Sequence, residues 1–370
     1  SGGWDWNGLW CVQSQNDMVE GLFRGYTAFA LQNDVAMGNS WVVQGNYTIF
    51  LNGHNLVAYP STVYAVALNE MFTITAGSSL TIKGNGSIDG RGLCYYSADP
   101  PVGALISVYP GGSLVLDGVS IGNVTNYNDY NMNSEAGGTI INNWGSLVAT
   151  NTYFHDCSGT AIFLQHTDPS LAWYGNGTGT YLTNCSSSNV SGLWCDSTTN
   201  KDISATLVID GGTYACGRNN HYLAGVDARA HSNITLKNIS SFGGVVNSAY
   251  NTSTTINNCT FDGSKATQTD GKDLLWSPIK STSTKGISIT NSTIQNAIVD
   301  SIYIAPTVNV TNTISNCTVS NAYATASIEI DANCTTNISN CNLHTSNTGI
   351  KVNQGTANVS GTNIYSNKYG

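Results

Sequence analysis

The sequence predicts an all-β protein, a single-stranded right-handed parallel β-helix of about ten to twelve coils with an N-terminal cap. The first observation is a recurring motif: an apolar residue, a polar one, usually Asn, two small residues and an apolar one. Its clearest copies lie at 256–261, 289–294, 314–319 and 338–343. Copies recur at roughly 20 to 35 residues, a period typical of stacked solenoids.

The second observation is that each repeat is too short to bury its own apolar face. Its strands must therefore pair with the equivalent strands of the next coil, about 4.8 Å away. Corresponding side chains of successive coils are then expected to lie above one another. This alignment is the basis of every site prediction below.

The third motif position is expected to form a ladder of asparagines. Asn tolerates the left-handed turn conformation, and amides facing inward would pass hydrogen bonds from coil to coil. The ladder residues are Asn151, Asn184, Asn238, Asn258, Asn291, Asn316 and Asn340. The fourth position carries Cys185, Cys259, Cys317 and Cys341, which we interpret as small buried thiols, with the last two close enough to bridge.

Residues 1–32 do not repeat and are predicted to form a cap, with the β-helix over 33–370. The tryptophans at 4, 6 and 10 are expected to cover the exposed core of the first coil, as end units of solenoids must. Asp17 and Glu20 are expected to form the capping box of a short helix.

A second strand about ten residues after each motif is expected to carry a binding face, because alternate residues of a strand point outward. Alternation places Phe163, Trp194, Tyr222 and Tyr303 on one outer face, with Glu329 continuing it. Flat rings spaced by a coil rise suit stacking on sugar rings, and Glu329 would supply hydrogen bonds. The alternative is that loops cover these rings and make them local packing residues.

Composition excludes several classes of function. Only 9% of residues are charged and the net charge is -9, so no basic stripe is available for nucleic acid. No apolar run reaches the 18 or more residues of a membrane span. A surface rich in Ser, Thr and Asn favours an extracellular, cell-surface or virion-surface protein.

Two segments resemble known families. The segment Phe50–Val57 followed by Gly77–Gly90 resembles the opening coils of pectin-lyase-like right-handed parallel β-helices. The segment Gly137–Phe163 resembles the repeat of adhesin-like and polymorphic outer-membrane surface proteins. The first resemblance implies the fold, and the second implies a broad class of surface proteins.

Enzymes of the pectin-lyase fold are only partly matched. Gly86–Gly92 is similar to an early segment of polygalacturonases, but the Asn-Thr-Asp and Gly-Asp-Asp segments that carry that family's carboxylates do not occur here. Asp89 is therefore interpreted as a turn residue. Pectate lyases hold calcium with clustered acids, and Asp270 with Asp273 is too sparse for that purpose. We expect no cofactor and no metal site, with only weak support for Ca²⁺.

One region carries mixed catalytic chemistry. His221, Asp227 and Arg229 lie close together in sequence, and Asp156 and Asp196 belong to the two preceding coils. A histidine, a carboxylate and an arginine can serve as base, orienting group and charge clamp if they share a face. The alternative is that these residues are ordinary polar groups of a loop.

The sequence thus favours an adhesin-like surface protein that contacts glycans without catalysis. Its partners would be a polysaccharide or cell-surface glycan, together with neighbouring subunits reached through coil ends or flanks. The alternative is a polysaccharide hydrolase or lyase with a divergent active site.

Overall fold

A computed structural model describes residues 2–59, 66–67, 70–95, 104–125, 138–164, 177–196, 204–217, 224–266, 277–322 and 325–370. The chain divides into two compact units, Ser1–Ser186 and Ser187–Gly370. Both are built from β-strands, and the described residues include one α-helix. The all-β prediction is confirmed.

The first unit begins with a hairpin and the helix and continues with strands of successive coils. Its elements are β1 Trp4–Trp6, β2 Leu9–Val12, α1 Gln15–Phe23, β3 Ala28–Leu31, β4 Val35–Met37, β5 Trp41–Val43, β6 Asn46–Phe50, β7 Asn55–Ala58, β8 Val66–Ala67, β9 Phe72–Ile74, β10 Ser79–Tyr95, β11 Ala104–Val108, β12 Ser113–Val124, β13 Thr139–Asn143, β14 Ser146–Thr150, β15 Tyr153–Leu164 and β16 Gly177–Asp196, which contains the unit boundary.

The second unit consists of strands and one turn of 3₁₀ helix at Gly263–Lys265. Its strands are β17 Ser204–Cys216, β18 Val226–Ala228, β19 Ser232–Lys237, β20 Ser241–Gly243, β21 Val246–Ser248, β22 Ser253–Asn257, β23 Thr260–Asp262, β24 Ile279–Ser281, β25 Ile287–Thr290, β26 Thr293–Ala297, β27 Ile302–Ile304, β28 Thr311–Ser315, β29 Thr318–Ala322, β30 Ala326–Ser339, β31 Asn342–His344, β32 Thr348–Ser360 and β33 Asn363–Tyr365.

Strands of successive coils pair in parallel, so like residues stack in columns. In the first unit, one column runs through β6, β10, β12, β14 and β16 and is fully buried; its members are Ile49, Ile82, Leu116, Ala149 and Leu182. Each buried aliphatic side chain stabilises the fold by about 1.5–3 kcal/mol. The core of this unit is thus a set of vertical apolar columns.

The second unit repeats this arrangement more regularly. One buried column contains Ile209, Leu236, Ile256, Ile289, Ile314 and Ile338, each opposite the next across a parallel ladder. The predicted solenoid-like stacking of parallel coils is confirmed within each unit.

The ladder asparagines align as predicted, but their predicted inward direction is wrong. Their φ angles lie between 49° and 57°, the left-handed region, and each backbone N–H of Asn258, Asn291 and Asn316 donates to the next coil at 3.0 to 3.1 Å. All seven side chains are exposed. Because the residues two positions before and one position after them are buried, the left-handed turn directs the amides to solvent.

The cysteines at the fourth motif position are buried and free, as predicted. Cys317 and Cys341 are hydrogen-bonded to each other as thiols, which confirms their proximity. This hydrogen bond lowers the pKa of Cys341 to about 7, against the opposing effect of burial.

Helix α1 begins three residues earlier than its predicted capping box. The Ser14 hydroxyl is the N-cap acceptor for the Asp17 N–H at 3.2 Å, and the Asp17 carboxylate accepts from the Gln13 N–H at 2.8 Å. In the described part of the chain, no helix is long and apolar enough to cross a membrane.

The predicted cap is only partly correct for the aromatics. Trp10 is buried, but Trp4 and Trp6 remain 41% and 61% exposed. These two indoles therefore do not cover the core.

Substitutions at the aligned turns should separate backbone conformation from amide stacking. Asn316→Ala should lower the free energy of unfolding by about 1 kcal/mol, because alanine disfavours a left-handed φ. Asn316→Gly should stay within about 0.5 kcal/mol of wild type, since glycine adopts that conformation freely. Chemical denaturation measures both. Equal losses in the two variants would show that the amide, not the backbone, is what the turn requires.

Candidate functional site

In the second unit, the parallel register aligns one side chain from each of six strands in a single column on the outer side of the sheet, which we call the polar column. Each member is the direct parallel neighbour of the next: Asp227, Asn247, Lys280, Tyr303, Glu329 and Lys351. In each of these strands, the residue directly before the member of the polar column is apolar. These residues form a second column in the interior, which includes Val226, Ile279 and Ile302. Because side chains alternate along a strand, burying one column places the other on the outer side of the sheet.

The start of the polar column is an ordered ion pair with an exposed cation. Asp227 accepts a hydrogen bond from the Asn247 amide at 2.9 Å, and its other oxygen lies 4.0 Å from Arg229 Nε. The Asp227 side chain is 3% exposed while that of Arg229 is 38% exposed. The guanidinium is therefore partly exposed beside a buried carboxylate.

A depression of about 470 Å³ adjoins this ion pair. Its lining residues are Arg229, Asn247, Ala249, Tyr250, Asn251, Lys280, Thr282, Thr284 and Thr307. Two cations, two amides and four hydroxyls, one of them the Tyr250 phenol, thus lie on one concave surface. The volume lies within the usual range of about 300–1,000 Å³ for ligand pockets.

Tyr250 is the unusual residue of this depression. Its side chain is 65% exposed, and its φ of 51° lies in the left-handed region, which a bulky residue rarely adopts. That conformation costs about 1 kcal/mol relative to the right-handed region. An exposed ring held in a strained turn gains little from burial, so its position calls for a functional explanation.

The far end of the polar column contains a carboxyl pair. Glu329 hydrogen-bonds to the Asp300 side chain, and this bond together with burial raises the pKa of Glu329 to about 7. Asp300 accepts from the Ala326 N–H at 2.9 Å. Glu329 also accepts from Asn353 Nδ2 at 2.7 Å, and Lys351 Nζ lies 3.8 Å away. Glu329 is therefore the proton donor of the pair near neutral pH.

Tyr303 lies between the cationic and acidic ends of the polar column. Its hydroxyl donates to Asp331 Oδ2 at 2.9 Å. Burial, and then the hydrogen bond to Asp331, raises the pKa of Tyr303 to about 12. The phenol therefore remains protonated at all physiological pH values.

Of the predicted glycan-binding residues, Tyr303 and Glu329 lie on the outer side of the sheet as expected, but Tyr303 is partly exposed whereas Glu329 is buried, with 8% of its surface exposed. Trp194 does not: it pairs with Val226 in the apolar column and is 2% exposed. A one-residue difference in register explains this, since it exchanges the two faces of a strand. Phe163 is also only 2% exposed and so is not available to a sugar. Tyr222 lies outside the described residues.

Of the predicted catalytic residues, only Asp196, Asp227 and Arg229 can be compared within the second unit. Asp227 and Arg229 are adjacent, but Asp196 is fully buried on the inner side and accepts from Ser232 Oγ at 2.6 Å. Asp156 belongs to the first unit, where its carboxylate lies 2.8 Å from His155 Nδ1. His221 lies outside the described residues.

The residues that sequence reasoning missed are Asn247, Tyr250, Lys280 and Asp300. Lys280 could have been found from the sequence. In Ile279–Ser281, as in Ile302–Ile304, an outward residue follows a buried Ile. The strained turn at Tyr250 has no counterpart in the repeat and could not be located from the pattern.

The predicted turn role of Asp89 fits its contacts. Its carboxylate accepts from the Arg91 N–H at 2.7 Å and from Asn123 Nδ2 at 2.9 Å. Asp270 and Asp273, weighed as calcium ligands, lie outside the described residues. Among the residues that are described, no group of three His, Cys, Asp or Glu side chains is placed to hold a metal ion.

The carboxyl pair predicts a pH dependence of stability. The folded-state pKa of Glu329, about 7, exceeds its ordinary value of 4.5, so the folded protein binds the proton more tightly than the unfolded chain. The free energy of unfolding should therefore fall as the pH rises from about 4.5 to about 7, by at most about 3 kcal/mol. Glu329→Gln keeps a donor toward Asp300 and should flatten this slope and raise stability at pH 8.

Thermal melts between pH 4 and pH 8 measure this effect. Glu20→Gln, at a partly exposed carboxylate of α1, is the matched control and should keep the wild-type profile. A Glu329→Gln variant with an unchanged slope would show that the pair does not share a proton.

No protein-family model matches this chain, and no curated protein matches it either. The parallel, solenoid-like fold and the geometry of the polar column are therefore the findings from which function has to be inferred.

Proposed function

We propose that this protein is an extracellular or surface-displayed β-solenoid that binds glycans without catalysis, through the depression beside Tyr250 and the polar column. The observation that carries the proposal is the convergence of cations, amides and hydroxyls around an exposed, strained aromatic ring. We further propose that the chain is a right-handed parallel β-helix of the pectin-lyase-like type, which its parallel register and recurring motif support.

The polar groups of the depression suit a hydroxylated ligand. Arg229 and Lys280 carry donors, and the amides of Asn247 and Asn251 carry both donors and acceptors. Thr284 Oγ1 donates to Asn251 Oδ1 at 2.7 Å and can accept from a ligand, while the other two threonine hydroxyls can donate or accept. Sugar hydroxyls are likewise both donors and acceptors, so such a surface can satisfy several of them together. Because Arg229 is paired with Asp227, its contribution is directional hydrogen bonding more than unpaired charge.

The exposed ring of Tyr250 supplies the apolar half of sugar recognition. An aromatic face packs against the C–H face of a pyranose while its hydroxyl reaches a polar partner. This role explains why a strained conformation is retained at an exposed position, where burial does not offset its cost.

The polar column extends the site along the sheet. Its members rise by about 4.8 Å per coil, a spacing comparable to one sugar residue of an extended glycan. Tyr303 and Glu329 add a phenol and a carboxyl to the cations and amides of the depression. Lys280, Tyr303 and Lys351 are at least partly exposed, whereas the other three members are buried. A glycan chain lying along this file would therefore meet the side chains of these three residues.

A hydrolase or lyase is the second candidate, and one observation favours it. Glu329, with a pKa of about 7, and Asp331 both lie next to Tyr303 in the fold, so a protonated acid and a second carboxyl occur near each other. Asp196 and Asp227 lie on opposite faces of their strands, which argues against the catalytic set expected from sequence. Binding is therefore the function that the geometry supports better.

A variant that relieves strain tests the role of Tyr250. Tyr250→Asn should keep or raise thermal stability by up to about 1 kcal/mol, because Asn tolerates a left-handed φ. It should also lower affinity for the bound glycan at least tenfold. Tyr181→Asn, which removes an exposed ring of the first unit, is the control and should bind as wild type.

Binding is measured on an array of plant, microbial and animal glycans, followed by titration calorimetry with the best ligand. Lys280→Ala should weaken binding, whereas Lys237→Ala, which removes an exposed cation on another strand of the same unit, should not. Equal affinities for Tyr250→Asn and wild type would refute the site. New reducing ends or unsaturated products would instead identify an enzyme.

A further inference from the structure

The first unit contains a second concave surface, which we call the N-terminal cleft. It has a volume of about 550 Å³ and lies beside the hairpin of β1 and β2. Trp4, Trp6 and Phe50 are its aromatic residues, and Gln32 and Asn52 contribute amides. Nothing in the proposed function uses this cleft.

Strand pairing explains how the cleft is built. β1 runs antiparallel to β2, with Trp4 opposite Cys11. β2 then pairs in parallel with β3, and β3 with β6, so that Cys11, Ala30 and Phe50 follow one another in a column. Two small residues thus form a floor between aromatic walls. A larger side chain at position 30 would fill this space.

The exposed indoles are not needed to close the core. Trp10 does that: it is 3% exposed, its Nε1 donates to the Asp17 carbonyl at 2.7 Å, and its ring lies 4.7 Å from that of Tyr26. Trp4 and Trp6 project beyond this cluster with 41% and 61% of their surface exposed. Exposed apolar surface of that size is unfavourable in water. A ligand that covered these two indoles would therefore gain binding free energy from their burial.

The amides of the cleft are held in fixed orientations. Gln32 Nε2 donates to the Ala30 carbonyl at 3.4 Å, and Asn52 Nδ2 donates to the Leu31 carbonyl at 3.2 Å. In each amide, the hydrogen bond donated by the nitrogen sets the orientation of the side chain. The amide oxygen can then accept a hydrogen bond from a ligand hydroxyl. Lys83 Nζ lies 5.1 Å from the centre of the Phe50 ring at the next coil and adds a donor nearby.

We propose that the N-terminal cleft is a separate carbohydrate-binding site that takes one or two pyranose rings of a neutral glycan. Trp4 and Trp6 would stack on the C–H faces of the sugar, and Gln32 and Asn52 would accept from its hydroxyls. Aromatic walls combined with a few oriented polar groups, in a cleft of this volume, are the usual composition of a small-ligand site. The inference shares the ligand class of the proposed function, but it depends on different residues.

The test is a fluorescence titration of the full chain with neutral oligosaccharides of glucose, galactose, mannose and N-acetylglucosamine. The exposed indoles should give a saturable change in emission with at least one of these. Trp6→Ala should lower that affinity at least tenfold. Phe23→Ala, which removes an 89% exposed aromatic ring from α1, should leave it unchanged.

A second variant tests the polar half of the site without disturbing the fold. Asn52 has a φ of 54°, so Asn52→Gly keeps the left-handed turn and removes the amide together with its hydrogen bond to the Leu31 carbonyl. Loss of its hydrogen bond should weaken binding about two- to tenfold. This variant also keeps the inference testable if Trp6→Ala melts at a lower temperature than wild type.

Three results would overturn the inference. The first is an emission that does not change with any oligosaccharide, and the second is wild-type affinity in both Trp6→Ala and Asn52→Gly. The third is a dimer, seen by sedimentation, that Trp6→Ala abolishes and sugars do not affect. That third result would make the cleft a self-association surface. Tyr250→Asn separates the two proposals. If it binds the array ligand like wild type while the Trp6-dependent signal persists, the site in the second unit is wrong and the N-terminal cleft stands.

Discussion

Parallel backbone hydrogen bonding in constant register is the interaction on which the rest of the fold depends. Each coil lacks the residues to bury its own apolar face, so stability comes from the ladder to the next coil and from columns such as Ile256, Ile289 and Ile314. A slip of one residue in any strand would exchange the buried and outer columns. The register is therefore as important for the surface as it is for the core.

The polar column is a direct consequence of that register. Burial of Ile279, Ile302 and Ile328 fixes the opposite side of the same strands, and the residues found there donate, accept or carry charge. The protein then holds these groups with local partners, as in the Glu329 contact with Asp300 and the Tyr303 contact with Asp331. Side chains held in this way lose less conformational freedom when they bind a ligand.

The sequence was sufficient for features that repeat and insufficient for those that do not. The alternation of buried and outward residues placed Tyr303 and Glu329 on the outer side, because each directly follows a buried Ile near the start of its strand. It failed for Trp194, since the 20-residue strand β16 has no break from which to count the register.

The left-handed φ of Asn258 was predictable from residue type, but its exposure was not, because the pattern does not give the direction of the turn. The strained Tyr250 and the exposed Trp4 and Trp6 lie where chain ends and local turns, not the repeat, decide the conformation.

The most direct test of this account is a crystal structure of the protein bound to an oligosaccharide selected on the glycan array. We predict sugar density against the Tyr250 ring and Lys280, continuing along the file toward Tyr303 and Glu329, with successive Cα atoms of that file about 4.8 Å apart. A glycan bound away from this face, or strands shifted so that Ile302 or Ile328 points outward, would contradict it.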